Sequence, residues 1–212
     1  MKKKRVGVRL FKAFVLCILL LGIVGVAAGG VFVKHVIDNT PEVTAKDILP
    51  QGYTTSIVDQ NGTVLEQLKD SDSNRVYKKY DEISKYMGDA FVAIEDERFY
   101  KHNGIDLQGI IRAGVVGVTH GFHFTEGAST LTQQLIKNNV FPNFVNETNS
   151  ERFERKIQEQ YLALKIEKQM SKKEILEAYM NTINLGQGCL GVQTAAKRYF
   201  NKDAADLTLS EC

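Results

Sequence analysis

The chain has 212 residues, with 27 basic and 25 acidic side chains, 43% apolar residues, three prolines and no tryptophan. This length suits about one globular domain with a short appendage, and the composition excludes a collagenous, low-complexity or globally disordered protein. Residues 1–33 hold six basic side chains and no acidic one. The rest of the chain is therefore net negative, which disfavours a nucleic-acid-binding protein.

The first predicted element is a membrane-spanning helix at residues 13–33. This segment has 21 residues without a charged or strongly polar side chain, and a helix of that length spans about 30 Å, the thickness of the hydrocarbon core of a bilayer. The basic residues of 1–12 predict a cytoplasmic tail, with the remainder of the chain on the outer side. A cleaved signal peptide is the alternative, but its apolar region has about 7–15 residues and is shorter.

The segment that follows the apolar helix is predicted to connect it to a folded body. Residues 34–50 are polar and contain two of the three prolines, so we interpret them as a stalk. The sequence TTSIVDQNGTVLEQL at 54–68 has two β-prone runs around Asn61-Gly62. An Asn-Gly pair between two such runs is typical of a β-hairpin.

Helical patterns replace the strand signals after this hairpin. An apolar face with the spacing i, i+3, i+4, i+7 predicts a helix that ends near Arg98; its members are Met87, Ala90, Phe91 and Ile94. A second helix is predicted to begin at a capping box opened by Thr130, a third spans about 150–169, and a fourth begins at a capping box opened by Ser171. The body is therefore predicted to be mainly α.

The last residues contain one more helix start. Thr208 and Glu211 have capping-box spacing, and the sequence stops at Cys212. A helix begun there cannot bury a face within so few residues. We therefore expect the folded domain at 51–212 to be truncated at its C-terminus.

The segment 94–106 concentrates acidic residues beside aromatic ones. On a helical projection Glu95 lies at the edge of the apolar stripe, whereas Asp96 points the other way. A carboxylate at an apolar margin is partly removed from water, which suits it to general acid or base chemistry. A solvated acidic helix end is the alternative interpretation.

Two further segments could bind anions or hold buried charge. Residues 126–139 open a helix with small and hydroxyl-bearing residues and then place Gln134 and Lys137 in its first turns, which favours an anion site, although an ordinary capped helix has the same pattern. In the third helix, Arg155 and Glu159 lie on a line roughly opposite the apolar face. If that helix is apolar on two sides, these charges are interior and must be paired; a simple i, i+4 ion pair is the alternative.

The segment 107–124 is apolar and rich in glycine. It is too short to span a bilayer, so it is either a core helix followed by a loop or an apolar lip that touches the membrane. His120 and His123 near its end lack further ligands, and the three cysteines are scattered at Cys17, Cys189 and Cys212. We therefore predict no metal site of the protein's own.

Five segments, taken in order and spacing, are similar to the five motifs of the peptidoglycan glycosyltransferase family. They read EDERFYKHNGID, GASTLTQQLIKN, RKIQEQYLALKIEK, KKEILEAYMNTINLGQG and GVQTAAKRYFNKD. This family comprises membrane-anchored enzymes, many of them class A penicillin-binding proteins, that polymerise lipid II. The resemblance covers about residues 50–212 and implies a lysozyme-like helical fold with a small membrane-associated jaw, for which 107–125 is the candidate.

The resemblance also implies roles for individual residues. Glu95 would be the general base on the 4-hydroxyl of the acceptor sugar, and Glu159 a second essential carboxylate. The substrate-binding residues that it implies are Asp96, Phe99, His102, Ser129, Thr130, Gln134, Lys137, Arg155 and Lys156. Asn184 departs from the family pattern, in which an aromatic residue is common at this position.

The implied partners are lipid II, the growing glycan strand, membrane lipid and other cell-wall synthesis proteins. The implied location is the bacterial cytoplasmic membrane with the body outside. No cofactor is required, although a divalent cation, Mg²⁺ or Mn²⁺, could accompany the pyrophosphate. Two other functions use parts of the same pattern: a lysozyme-like hydrolase would need the carboxylate pair but not the cations, and a non-catalytic cell-wall scaffold would need neither carboxylate.

Overall fold

The structure, a computed structural model, describes residues 2–68, 74–119, 127–141 and 144–212. The chain divides into two compact units, Met1–Pro41 and Glu42–Cys212. Within the described residues there are seven α-helices and a single two-stranded sheet. This confirms the prediction of a mainly helical protein with a small β-hairpin.

The first unit is built on one long helix, α1, at Lys2–Asp38. Its part Phe11–Asp38 is long enough and apolar enough to cross a membrane, which agrees with the predicted span at 13–33. The helix continues beyond that span to Asp38. Lys34 and Asp38 form an i, i+4 ion pair of 2.6 Å on its last turn.

The predicted stalk at 34–50 differs from the structure at both of its ends. Its first residues belong to α1, and residues 42–50 belong to the second unit. Val43 and Ile48 are buried in the hydrophobic core of that unit, Ile48 completely. The segment is polar on average, so its composition does not reveal these two apolar residues. They pack into the hydrophobic core and attach the segment to the second unit.

The predicted hairpin is present. Strands β1, Thr55–Val58, and β2, Val64–Leu68, pair antiparallel with Thr55 opposite Leu68. The turn between them is held by Asp59, whose Oδ1 accepts the backbone N–H groups of Asn61 and Thr63, both at 2.8 Å. Gly62 adopts a φ of +83°, a conformation in which glycine carries little steric cost.

The second unit contains six α-helices: α2 Lys85–Glu95, α3 Leu107–Thr119, α4 Leu131–Val140, α5 Asn149–Ile166, α6 Lys172–Thr182 and α7 Val192–Phe200. Its hydrophobic core lies where α4, α5 and α6 meet. Helix α4 packs against both α5 and α6. The completely buried apolar side chains of these three helices include Leu131, Leu135, Ile136, Leu162, Ile166, Ile175, Leu176 and Tyr179.

Side-chain caps fix where these helices begin. The predicted box at Ser171 is complete, since its side chain and that of Glu174 each bond the backbone of the other residue. At Thr130 only half of the predicted box forms: its side chain accepts the N–H of Gln133, but Gln133 turns its own amide to the carbonyl of Gly104. A tertiary acceptor has displaced the local one.

The burial of α5 corrects the expectation of a helix apolar on two sides. The line through Arg155, Glu159 and Leu162 is buried. The opposite face is not, because Phe153 is 60% and Leu164 43% exposed. Since α4 covers α5 from one side, the other side remains at the surface.

Helix α3 carries an exposed apolar stripe at helical spacing. Leu107, Ile111, Val115 and Val118 are each more than half exposed, whereas Ala113 on the other face is buried. The helix has 13 residues, too few to span a bilayer. His120 and His123, together with the end of the predicted 107–124 segment, lie outside the described residues.

Gly104 is a site where the fold depends on the absence of a side chain. Its φ is +93°, and a Cβ there would lie 2.7 Å from the carbonyl carbon and oxygen of Ala163 in α5. We expect Gly104→Ala to destabilise the protein by about 2 kcal/mol or more, which lowers Tm by ~5 °C in thermal unfolding followed by circular dichroism.

The matched control is Gly114→Ala in α3. No atom lies within 4 Å of a Cβ built there and its φ is helical, so the substitution should leave Tm unchanged or raise it slightly. Equal Tm values for the two variants would contradict the importance of the contact between Gly104 and α5.

Candidate active site

The end of α2 places the side chains of Glu95 and Asp96 in different surroundings. Neither side chain lies where the helical projection predicts. The helix stops at Glu95, not near Arg98, and Asp96 leaves helical geometry with φ −157° and ψ 70°. The Glu95 side chain is exposed, whereas Asp96 is only 6% exposed. The expectation that Glu95 is partly removed from water is therefore wrong.

Asp96 ties the end of α2 to the beginning of α4. Its carboxylate accepts the backbone N–H of Leu131 at 3.0 Å and bonds Nε2 of His102 at 2.9 Å. Nδ1 of that imidazole accepts the N–H of Gly104 at 3.1 Å, so a neutral ring carries its proton on Nε2 and donates it to Asp96. Phe99 is completely buried beneath this group. Asp96, His102 and Phe99 therefore form the buried side of the site.

Glu95 is held from the opposite side by Gln134. The Gln134 Nε2 group donates to Oε2 of Glu95 at 2.9 Å, and its Oε1 accepts the hydroxyl of Tyr179 at 3.1 Å. Three helices therefore meet at this point, since the residues belong to α2, α4 and α6. Burial, and the nearby negative charge of Glu95, raise the pKa of Tyr179, so its hydroxyl keeps its proton.

A polar pocket of about 180 Å³ opens beside Glu95. Its lining includes the predicted residues Asp96, Ser129 and Thr130, and also Arg112 from α3. The Thr130 hydroxyl itself donates inward to the carbonyl of Gly104 at 2.8 Å, so this residue supports the pocket wall.

A cluster of charges on α5 adjoins the pocket through Ser129. Its centre is Glu159, which has no exposed surface and accepts Nζ of Lys156 at 2.7 Å as well as the guanidinium of Arg155. Lys156 also donates to Oγ of Ser129 at 3.0 Å. Arg155 reaches a second carboxylate, Glu147, at 2.7 Å. The predicted Arg155–Glu159 pair is thus present, and it is part of a larger network.

Lys137 faces the same cluster from α4. Burial and the positive charge of Lys156 lower the pKa of Lys137. Its Nζ lies 4.8 Å from the centre of the Phe144 ring, and the Arg155 guanidinium lies 5.6 Å from that ring. Within the described part of the chain Lys137 makes no ion pair. It is therefore a cation with capacity for an anionic ligand.

Comparison with known proteins gives the same assignment as the motifs. The family model described as transglycosylase matches residues 61–212. The chain belongs to the transglycosylase family.

Individual relatives extend the match over the N-terminal helix. The chain is 42% identical over 207 residues to a penicillin-binding protein 1A of Clostridium perfringens (strain 13), covering 96% of this chain and 30% of the relative. It is 40% identical over 215 residues to the protein of that name from Clostridium botulinum (strain Langeland), covering all of this chain and 25% of the relative. The chain therefore spans a quarter to a third of these relatives.

Sequence reasoning missed four residues of this candidate site. Tyr179 and Phe144 carry no signal that separates them from ordinary core or surface aromatics. Glu147 precedes the α5 cap by one residue, and only the fold brings it to Arg155. Arg112 follows Ile111 in α3, and the apolar residues of that helix indicated a core helix or a membrane contact rather than a polar site.

A divalent cation that accompanied the pyrophosphate is a separate matter from a metal held by the protein alone. Within the described residues no group of three or more His, Cys, Asp or Glu side chains is arranged so that it could hold a metal ion. The oxygens of Glu159 are already bonded to two cations, and Glu95 is bonded to Gln134. These residues do not fit a resident metal, and we derive no step through one.

The lowered pKa of Lys137 leads to a prediction about alkaline pH. Its ammonium loses its proton at a lower pH than an ordinary lysine does, so affinity for an anionic substrate should weaken early on the alkaline side. Measured between about pH 7 and pH 10, KM should rise in the wild type. In Lys137→Arg, whose guanidinium stays charged, this rise should disappear. Identical pH profiles would contradict the role of Lys137.

Proposed function

We propose that this protein is a membrane-anchored peptidoglycan glycosyltransferase that joins lipid II units into glycan strands and releases lipid pyrophosphate. The observation that carries the proposal is an accessible carboxylate, Glu95, in a pocket that a cation cluster adjoins. Ser129 connects the two parts, since it lines the pocket of Glu95 and accepts a hydrogen bond from Lys156.

The chemistry of glycosyl transfer needs both parts. A sugar hydroxyl that attacks an anomeric carbon must lose its proton, and Glu95 is positioned by Gln134 to accept it. The bond between the anomeric carbon and the pyrophosphate oxygen breaks at the same time, and negative charge grows on the departing group. Lys137, Arg155 and Lys156 would neutralise that charge, each charge-assisted contact being worth about 1.5–3 kcal/mol.

In this mechanism Glu159 positions other residues. Because it is buried and bonded to two of the cations, we assign it to orienting Arg155 and Lys156 rather than to proton transfer. Glu147 competes with any anion for Arg155. The arrangement leaves Lys137 as the cation most available to pyrophosphate.

The membrane arrangement supports a lipid-linked substrate. The span within Phe11–Asp38 would anchor the protein in the cytoplasmic membrane, and the basic residues at its start favour a cytoplasmic N-terminus with the body outside. The exposed stripe of α3 would contact the lipid surface, where lipid II resides. A hydrolase of soluble glycan needs neither the stripe nor the cations.

The direct test is a polymerisation assay on the purified protein in detergent with labelled lipid II. The proposal requires glycan strands longer than the starting disaccharide, with one lipid pyrophosphate released for each bond formed. If folded protein leaves lipid II unchanged, the proposed function fails.

A further inference from the structure

We propose that Tyr179 is a positioning residue for the reaction, which acts by fixing the amide of Gln134 so that its N–H group always faces Glu95. This inference rests on the proposed role of Glu95 and concerns a residue outside the predicted set. The geometry is a chain of two hydrogen bonds that runs from the core to the pocket, with Tyr179 Oη to Gln134 Oε1 at 3.1 Å and Gln134 Nε2 to Glu95 Oε2 at 2.9 Å.

The direction of this chain is determined by chemistry. An ionised carboxylate only accepts hydrogen bonds, so Glu95 requires the NH₂ side of the Gln134 amide. The oxygen of the amide must then face the buried end, where a donor is needed. The Tyr179 hydroxyl is that donor, and its raised pKa keeps it protonated. Rotation of the amide would place two oxygens against each other at Glu95, and the Tyr179 hydroxyl would lose the acceptor to which it now donates.

Packing holds the tyrosine itself in place. Tyr179 has no exposed surface, and its ring packs edge-on against Phe91 with centroids 5.3 Å apart. Phe91 lies one helical turn before Glu95 on α2. The rigid core therefore sets the distance between the hydroxyl of Tyr179 and the end of α2, and the Gln134 amide spans that distance.

Removal of the Tyr179 hydroxyl oxygen alone should therefore change kcat. In Tyr179→Phe the ring and its packing remain, but Oε1 of Gln134 loses its donor and the amide is no longer held in one orientation. In part of the molecules the Glu95 carboxylate would then no longer be oriented correctly for the acceptor hydroxyl. We expect kcat to fall about five- to tenfold, as for the loss of one hydrogen bond, while KM for lipid II changes less than ~2-fold.

A double-mutant cycle separates positioning from a general structural role. In a Gln134→Ala background the amide is absent, so Tyr179→Phe should lower kcat by less than ~2-fold further. Tyr77→Phe is the matched control: its hydroxyl also donates to a carboxylate on α6, that of Glu177, but it has no link to the pocket. This control should leave kcat unchanged.

The outcomes are distinguishable from failure of the proposed function. If the wild type polymerises lipid II but Tyr179→Phe retains its kcat, or lowers it equally in both backgrounds, the positioning role is overturned and the glycosyltransferase assignment stands. If the wild type does not polymerise, the proposed function itself fails.

Should Tyr179→Phe not fold, Gln134→Glu tests the same orientation. An ionised glutamate still accepts from Tyr179 but cannot donate to Glu95, so kcat should fall at least tenfold. A wild-type kcat in this variant would overturn the proposal.

Discussion

Replacing Glu95 with glutamine should reduce polymerisation of lipid II by about 100-fold or more without unfolding the protein. Glutamine has the shape of glutamate but cannot accept a proton from the acceptor hydroxyl, and a general base contributes about 10²–10⁴ in rate. The fold should tolerate the change because Glu95 is exposed at the end of a helix. The measurements are the initial rate with labelled lipid II and the Tm of the same sample.

Glu97→Gln provides the matched control for this variant. Glu97 is also exposed and lies two residues away, but it bonds Arg98 instead of Gln134. Its replacement should change the rate less than ~2-fold. A Glu95→Gln variant that polymerises as fast as Glu97→Gln would exclude Glu95 as the base.

Glu159→Gln should be the most destabilising substitution among the predicted site residues. Glu159 is completely buried and holds the charges of Arg155 and Lys156. A neutral amide removes the buried negative charge, so Arg155 keeps only Glu147 as an ionic partner and Lys156 keeps only its hydrogen bond to Ser129. Breaking a buried ion pair costs about 3–5 kcal/mol of unfolding free energy, and polymerisation should be lost even at temperatures where the variant remains folded.

The control for this variant is Glu154→Gln, the same chemical change at a less buried position of α5. Urea unfolding should give a wild-type midpoint for Glu154→Gln and a clearly lower one for Glu159→Gln. If Glu159→Gln unfolds at the wild-type urea concentration, Glu159 does not hold the cluster together.

Sequence periodicity was sufficient wherever structure is decided locally. The hairpin around Asn61-Gly62, the capping box at Ser171 and the pairing of Arg155 with Glu159 each depend on residues at most a few positions apart. The same reasoning was wrong where a tertiary contact competes with the local pattern. Asp96 leaves the helical projection because its carboxylate accepts the backbone N–H of Leu131, 35 residues away, at the start of α4.

The parts of the candidate site that sequence could not predict all depend on long-range contacts. Gln134 meets Tyr179 across 45 residues, and no spacing rule relates them. The Phe144 ring lies within 6 Å of both Lys137 of α4 and Arg155 of α5, and no spacing in the sequence relates these three residues. The burial of Glu95 was overestimated because a helical projection counts apolar neighbours along one helix but not the open pocket beside it.

The measurement that tests the account most directly compares transfer with hydrolysis. A preformed glycan strand without lipid pyrophosphate is incubated with the wild type and with Lys137→Ala, and lipid II is the parallel substrate. The account predicts that the strand remains intact with both proteins, and that Lys137→Ala slows polymerisation of lipid II about 10–100-fold through loss of a charge-assisted contact to pyrophosphate. Cleavage of the strand by the wild type, undiminished in Lys137→Ala, would contradict it and identify a lysozyme-like hydrolase.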